Sequence, residues 1–445
     1  MRRLLLLLLW GWFWMGGWWG PKAWTTEQVF VYGTTGSLTA GTRYFMFVND
    51  AGPTTDPQNQ CLLVPTAGTA DSLRVTLSVA PGVGTSWTFT LFDDIDNTVI
   101  AVDCTIADSE TSCNSAADTA AYSAGDCLIL RAIASGATAS SSPDATLILD
   151  STTDAESTYG GNSGTTNIST TAVQYHSLGG PAAMQGSEAR MKVVMPMGGD
   201  WTALRCDLDA APGAGTSYVF TARVNGADDT DLTCTISDVA GTCSDTATAG
   251  QVAVVAGDFF AIQSTPTASP TGGGKARCSA TFTATTNGQF FFPYSDNDTM
   301  SNAATEYNLL FSSINNWNGT ETSVDQLAQS MSILNMYVNL PAGSPGSGNS
   351  YTLDLRQDVN SPGLQVVLSD AETSDKATAT ISINDDDLLA TQAVPASTPT
   401  ARAALISYTG FIDQGGAAQQ QYYLISKEHP CEQDFFSRWS CPAHN

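Results

Sequence analysis

Pro81-Gly82-Val83-Gly84-Thr85-Ser86-Trp87-Thr88-Phe89-Thr90-Leu91 is a turn signal followed by a strand signal, and the chain writes it three times. It returns as Pro212-Gly213-Ala214-Gly215-Thr216-Ser217-Tyr218-Val219-Phe220-Thr221-Ala222, and again as Pro345-Gly346-Ser347-Gly348-Asn349-Ser350-Tyr351-Thr352-Leu353-Asp354-Leu355, at offsets of 131 and 133 residues. Pro-Gly-x-Gly is a tight loop that needs positive φ. The alternation after it has the period of two of a half-buried strand. Trp87, Tyr218 and Tyr351 open that strand and are expected to pack inward. The Gly-x-Gly spacing is not a phosphate loop. No Gly-Lys-[Ser/Thr] ending follows, and a strand comes next instead of a helix.

The register holds on both sides of the motif. Upstream run Leu73/Val75/Leu77, then Leu204/Cys206/Leu208, then Leu334/Met336/Val338/Leu340. Downstream, Ala124-Gly125-Asp126, Ala256-Gly257-Asp258 and Asp385-Asp386 each precede an apolar strand. Thr146-Leu149, Ser279-Thr283 and Leu405-Tyr408 close the copies. Short alternating runs with Gly, Pro, Asn and Asp punctuation define an all-β chain. The expected architecture is three tandem antiparallel β-sandwich (jelly-roll-like) domains of about 130 residues, at 24–155, 156–288 and 289–410, with a C-terminal tail at 411–445. Ser323 to Leu334 breaks the pattern: Val324, Leu327, Ala328 and Met331 recur at helical spacing and predict a short helix.

The chain has 445 residues, with 17 Lys+Arg against 43 Asp+Glu and a net charge of −26. That balance repels a phosphate backbone and an anionic membrane, so nucleic-acid partners are excluded. Three histidines in the whole chain leave little for His-based catalysis. No Gly-x-Ser-x-Gly elbow occurs, and the reading is that of a non-enzyme. Met1-Arg2-Arg3, the apolar run Leu4 to Trp19 and Ala23 read as a secretory signal peptide over 1–23, with a retained anchor as the alternative. No later run reaches the length of a membrane span. The expected location is extracellular or at the cell surface.

The ten cysteines fall as four, four, none and two over the copies and the tail. Cys104 and Cys113 share their spacing with Cys234 and Cys243, and in the third copy both positions are lost together, at Val366 and Asp375. Joint loss is the mark of a bonded pair. Cys104–Cys113 and Cys234–Cys243 are therefore expected as staples across a hairpin. By subtraction Cys61–Cys127, Cys206–Cys278 and Cys431–Cys441 follow, although spacing alone leaves connectivity open. Such bonds persist in oxidising compartments. No Cys-x-x-Cys or nearby His supports a zinc site.

Acidic clusters offer the one cofactor candidate. Asp93, Asp94 and Asp96, with Asp228, Asp229 and Asp231 at the similar point of the second copy, are candidate calcium ligands; the alternative is a solvated turn. Trp317, among Asn residues, is the candidate exposed ring for a surface glycan. Val29, Val31, Phe45 and Phe47 could add to a neighbour's sheet edge. Phe435, Phe436 and Trp439, inside the expected tail disulfide, are a second candidate assembly surface.

The Pro-Gly-x-Gly-x-Ser-aromatic runs, with the Asn225-Gly226-Ala227-Asp228 turn, resemble tandem β-sandwich repeats of uncharacterised bacterial and phage surface and fibre-like proteins. The resemblance implies an extracellular structural or appendage role. An export signal and paired cysteines depart from phage tail proteins, which are assembled in the cytoplasm. The sequence thus points to a secreted, disulfide-stabilised subunit of a self-associating filament, sheath or surface layer. The alternatives are a carbohydrate-binding adhesin, a virion fibre protein and a polysaccharide hydrolase.

Overall fold

The strand carrying the repeated motif in the first copy buries Trp87, Phe89 and Leu91 completely, as its alternation requires. A computed structural model describes residues 27–412, apart from 34–36, 46–52, 58–59, 116–117, 154, 248–251, 272–273, 296–297 and 314–315, together with 432–434 and 438–440. The first unit comprises β1 (Glu27–Gly33), β2 (Thr42–Phe45), β3 (Leu62–Leu63), β4 (Gly68–Leu77), β5 (Gly82–Asp93), β6 (Thr98–Asp108), β7 (Ser112–Asn114), β8 (Thr119–Tyr122), β9 (Cys127–Ala134) and β10 (Pro143–Ser151). The second comprises β11 (Glu156–Asn162), β12 (Gln174–His176), β13 (Gly179–Pro181), β14 (Val193–Val194), β15 (Gly199–Leu208), β16 (Gly213–Val224), β17 (Ala227–Asp238), β18 (Thr242–Thr246), β19 (Ala253–Val254), β20 (Phe259–Thr267) and β21 (Ala276–Ala284). The third comprises β22 (Gln289–Ser295), β23 (Glu306–Asn308), β24 (Ser312–Ser313), β25 (Gln326–Leu327), β26 (Met331–Asn339), β27 (Gly346–Gln357), β28 (Gln365–Asp370), β29 (Ser374–Ile383), β30 (Leu388–Ala396) and β31 (Leu405–Phe411).

Each unit is two sheets with the same strand order. In the first, β1-β10-β4-β7 faces β2-β9-β5-β6. In the second, β13-β11-β21-β15-β18 faces β12-β20-β16-β17, and in the third β24-β22-β31-β26-β29 faces β23-β30-β27-β28. Pairing is antiparallel except at β11/β13 and β22/β24. Leu73, Val75 and Leu147 from one sheet meet Trp87, Phe89 and Ile106 from the other, all fully buried. The fold is an all-β sandwich architecture.

The repeated motif is a clamp inside the sheet. Pairing of β5 with β6 jumps from Gly82↔Asp108 to Ser86↔Ala107, leaving a bulged loop. Gly82 and Gly84 sit at φ 104° and 75°, where a Cβ is strained. The Gly84 N–H donates to Asp108 Oδ1 at 2.7 Å. Gly215 donates to Asp238, and Gly348 to Asp370, each also at 2.7 Å.

The three units close on one another. β3 of the first packs on β11 and β21 of the second. β14 of the second packs on β22 and β31 of the third, and β25 of the third on β1 and β10 of the first. β3, β14 and β25 hold the same place in their units, as do β1, β11 and β22. One contact is therefore used three times in a closed cycle, the single-chain counterpart of a threefold ring. Gln28 links the first unit to the second: its amide donates to the Thr158 carbonyl (3.0 Å) and accepts from the Thr158 N–H (2.7 Å). Tyr159 links the second to the third, stacked on Phe291 at 4.0 Å with its hydroxyl accepting the Phe291 N–H. Phe311 returns to Phe30 at 6.0 Å. One continuous apolar core runs through all three units.

No helix forms over Ser323 to Leu334. Glu321–Ser323 is a single 3-10 turn, followed by β25 and the start of β26. Val324, Leu327, Ala328 and Met331 are all buried. Their helical spacing came from a turn and two strands burying residues in succession.

By contact the three sandwich units make one compact body that ends at Ile412, and residues 413–445 form a separate C-terminal unit, in which β32 (Glu432–Asp434) pairs antiparallel with β33 (Arg438–Ser440).

Candidate functional site

The features most specific to this chain lie at the junctions between units. Position 74 of β4 corresponds to 205 of β15 and 337 of β26, and each reaches a turn of the unit before it in the cycle. Arg74 Nη2 lies 2.7 Å from Asp385 Oδ2, and its Nη1 3.0 Å from Asp386 Oδ1. Arg205 covers the Gly125-Asp126 turn so closely that a Cβ on Gly125 would come within 2.5 Å of Nη2. Tyr337 covers Gly257 in the same way, its hydroxyl 2.8 Å from where a Cβ would stand. Gly125 and Gly257 have φ of 102° and 98°, so each turn requires glycine twice over.

The junction of the first and second units also buries an ionic cluster. Arg277 on β21 bonds the Asp207 carboxylate on β15 and lies 3.7 Å from Asp94 of the first unit. Arg277 and Asp207 are both buried. Burial raises Asp94 above the usual carboxylate range; Arg277 pulls it down, while Asp56, Asp93 and Asp207 push it up. Lys275 adds a contact to Asp56 at 3.4 Å.

Asp93, Asp96 and Asp126 come together, one carboxylate oxygen of each within 4.8 Å of the others. Asp93 is buried and already committed to backbone donors: Ile95 N–H at 3.1 Å, Asp96 N–H at 3.1 Å and Cys127 N–H at 2.8 Å. Burial raises Asp126, as do the charges of Asp93 and Asp96, against the Ser123 N–H and the Arg205 guanidinium. Calcium takes six to eight oxygens; in this trio Asp93 and Asp126 each also cap a turn, Asp126 accepting the Ser123 N–H at 2.8 Å. The other expected calcium residues are placed elsewhere. Asp94 faces Arg277, Asp228 pairs with Arg223, and Asp229 accepts the Asp231 N–H. In the fold Asp93 and Asp229 cap turns and Asp94 and Asp228 meet arginines, while Asp93, Asp96 and Asp126 are the carboxylates that converge among the described residues.

Among the described residues there are four disulfides: Cys61–Cys127, Cys104–Cys113, Cys206–Cys278 and Cys234–Cys243. The Cys104–Cys113 and Cys234–Cys243 bonds differ from the hairpin staples expected. β6 pairs with β5 and β7 with β4, so Cys104–Cys113 ties one sheet of the sandwich to the other. Cys234–Cys243 does the same between β17 and β18. The short connection arches between sheets instead of turning within one. Cys206 and Cys278 stand directly opposite on β15 and β21. Cys431 and Cys441 lie outside the described residues.

The other candidate residues are placed as follows. Trp317 is 7% exposed and packs edge-on against Tyr294 at 6.1 Å, so it offers no surface ring to a glycan. Val29 and Phe45 are buried in the first unit, in β1 paired with β10 and β2 paired with β9. Val31 stands opposite Thr146 in the same ladder. β1 ends one sheet of the first unit and β2 the other, each paired on its inner side with a strand of the same chain. Phe47, Phe435 and Phe436 fall outside the described residues, and Trp439 stands opposite Gln433 in β33. The signal-peptide segment is likewise outside them. Among the described residues no helix is long and apolar enough to cross a membrane.

The junction residues did leave a signal in the sequence. Arg74 and Arg205 are two of only 17 cations and occupy one repeat position. The turns they meet, Asp385-Asp386 and Gly125-Asp126, are repeat positions too. No protein-family model matches the chain, and no curated protein is similar to it in sequence.

Proposed function

We propose that this chain is an extracellular structural subunit, a disulfide-stabilised block that self-associates into a filament, sheath or surface layer. The observation that carries the reading is the closed cycle of three units within one chain. Its junctions are matched by position: Arg74, Arg205 and Tyr337 each clasp the turn of the unit before. A protein committed to rigidity at every seam suits load-bearing repetition. Four disulfides, the mark of an oxidising compartment, support an external location. The secretory reading of residues 1–23 and the resemblance to fibre-like surface repeats point the same way.

Negative-stain microscopy with light scattering on residues 24–445, purified under oxidising conditions, tests this. Ordered filaments, lattices or rings are expected. A monodisperse monomer at every concentration would overturn the reading and leave a surface adhesin as the alternative.

A further inference from the structure

The three units share a topology and differ at one edge. β6 and β17 end the motif-bearing sheets of the first and second units, and each is tied to the facing sheet by a disulfide. In the second unit the Asp245 carboxylate also accepts the outward N–H of Thr233, at 2.8 Å. The third unit has neither device. Val366 and Asp375 stand at the two cysteine positions, and Ala377 at that of Asp245.

β28, the strand at this edge, is six residues long against eleven in β6 and twelve in β17. Among the described residues it pairs with no strand but β27. Val366 and Leu368 are buried, while Gln365 and Val367 are exposed. Val367 is 44% exposed at the position where the tied units carry Thr105 and Thr235. The Ser369 N–H bonds the Glu372 carboxylate at 2.9 Å, which turns it away from β27. By the alternation of an antiparallel ladder, Val367 presents its N–H and C=O on that same open side. An untied edge with an exposed valine and no charge from Gln365 to Ser369 is what β-proteins ordinarily avoid.

We propose that β28 is the acceptor edge for an extended strand of a second copy of this chain, supplied by Gln419-Gln420-Gln421-Tyr422-Tyr423-Leu424-Ile425-Ser426. The proposal rests on the self-association reading and names its contact. This run lies beyond Ile412, outside the described residues, in the C-terminal unit 413–445. It carries no charge, and its Tyr, Leu and Ile suit a strand. Gln365 to Ser369 is uncharged as well. In a chain of net charge −26, two neutral segments are those that meet without repulsion. Strand addition gains main-chain hydrogen bonds along the edge. Donor and acceptor sit at different places in the chain, so the contact is head-to-tail and propagates.

The test compares Val367→Pro with Thr235→Pro in the full secreted chain, by sedimentation and by binding of a fluorescent synthetic peptide of residues 417–428. Proline is tolerated at an outward-facing edge N–H, so both variants are expected to keep the wild-type circular dichroism and melting. Val367→Pro is expected to weaken association and peptide binding by about tenfold or more, and Thr235→Pro to change neither. If Val367→Pro fails to fold, Val367→Lys carries the same expectation. Assembly or peptide binding unaltered by the change at 367 overturns the proposal and leaves the structural reading standing. Should the wild type never assemble, that reading fails, and the peptide still decides: saturable binding lost in Val367→Pro keeps β28 as the acceptor, and no binding rejects it. A Val367 amide protected from exchange in a strictly monomeric sample would assign the edge to the chain's own tail and reject a second copy.

Discussion

Arg74 reaches Asp385 across 311 residues of chain, Nη2 to Oδ2 at 2.7 Å, and so joins the first unit to the third. The contact is geometrically central and energetically modest. Both aspartates it meets are about half or more exposed. An exposed pair contributes about 0–1 kcal/mol. Arg74→Ala should therefore lower stability by less than about 1 kcal/mol, and less again in high salt. The buried pair is different. Asp207→Ala leaves Arg277 without its main partner and should cost about 3–5 kcal/mol, with little salt dependence. Denaturant titration at two salt concentrations separates the two.

The Gly125 turn gives a sharper test, because two effects there can be told apart. Gly125→Ala meets both a φ of 102° and the Arg205 side chain. Gly41 has φ 105° with nothing near its Cβ position, so Gly41→Ala reports backbone strain alone. Gly125→Ala is expected to cost about 1–3 kcal/mol and more than Gly41→Ala. Combined with Arg205→Ala, its cost should fall below the sum of the two single changes. An additive double mutant would mean that Arg205 does not cover the turn.

His176 sets an acid limit. It is buried against Phe220, its Nε2 has no partner among the described residues, and burial pushes its pKa down to about 3 from 6.5. A depressed histidine is neutral in the fold and takes up its proton readily when unfolded. The stability it permits is present above about pH 6.5 and is lost as pH falls toward about 3. The first unit has Phe45 at this place in β2. His176→Phe should raise the melting temperature, most at about pH 4 and least at about pH 7. A gain independent of pH would contradict the burial of a neutral imidazole.

The missing tie of the third unit can be supplied. Val366→Cys with Asp375→Cys places thiols where the other units have Cα–Cα separations of 5.7 and 5.6 Å. A bond closing so short a loop adds about 2–3 kcal/mol in the entropic picture. Mass spectrometry should find it formed, and melting should fall back to wild type on reduction only if the native bonds are spared. The proposed docking at β28 would be hindered in the same variant.

Much of the fold was legible in the chain. Repetition and period-two alternation mark the strands, and the joint loss of cysteine at positions 366 and 375 marks a bonded pair. What stayed hidden was partner choice. Alternation says that Val29 and Val31 form a strand; it does not say that β10 of the same unit is the neighbour. The sandwich arch at Cys104–Cys113 reads like a hairpin because both have a short polar connection. Val324 to Met331 mimics a helix because consecutive short elements each bury a residue. Trp317 sits in a loop among polar neighbours in sequence, yet its ring is covered by Tyr294 from β22. The closed cycle depends on residues of the outer sheet faces, where Arg74, Arg205 and Tyr337 share a position but not a chemistry.

The closure is best tested by zero-length carbodiimide coupling in an Arg74→Lys variant, read by peptide mass spectrometry on the monomer. Coupling of residue 74 to Asp385 or Asp386 within one chain is the expected result. A residue 74 that couples to other carboxylates, or to none, would contradict the cycle of three units.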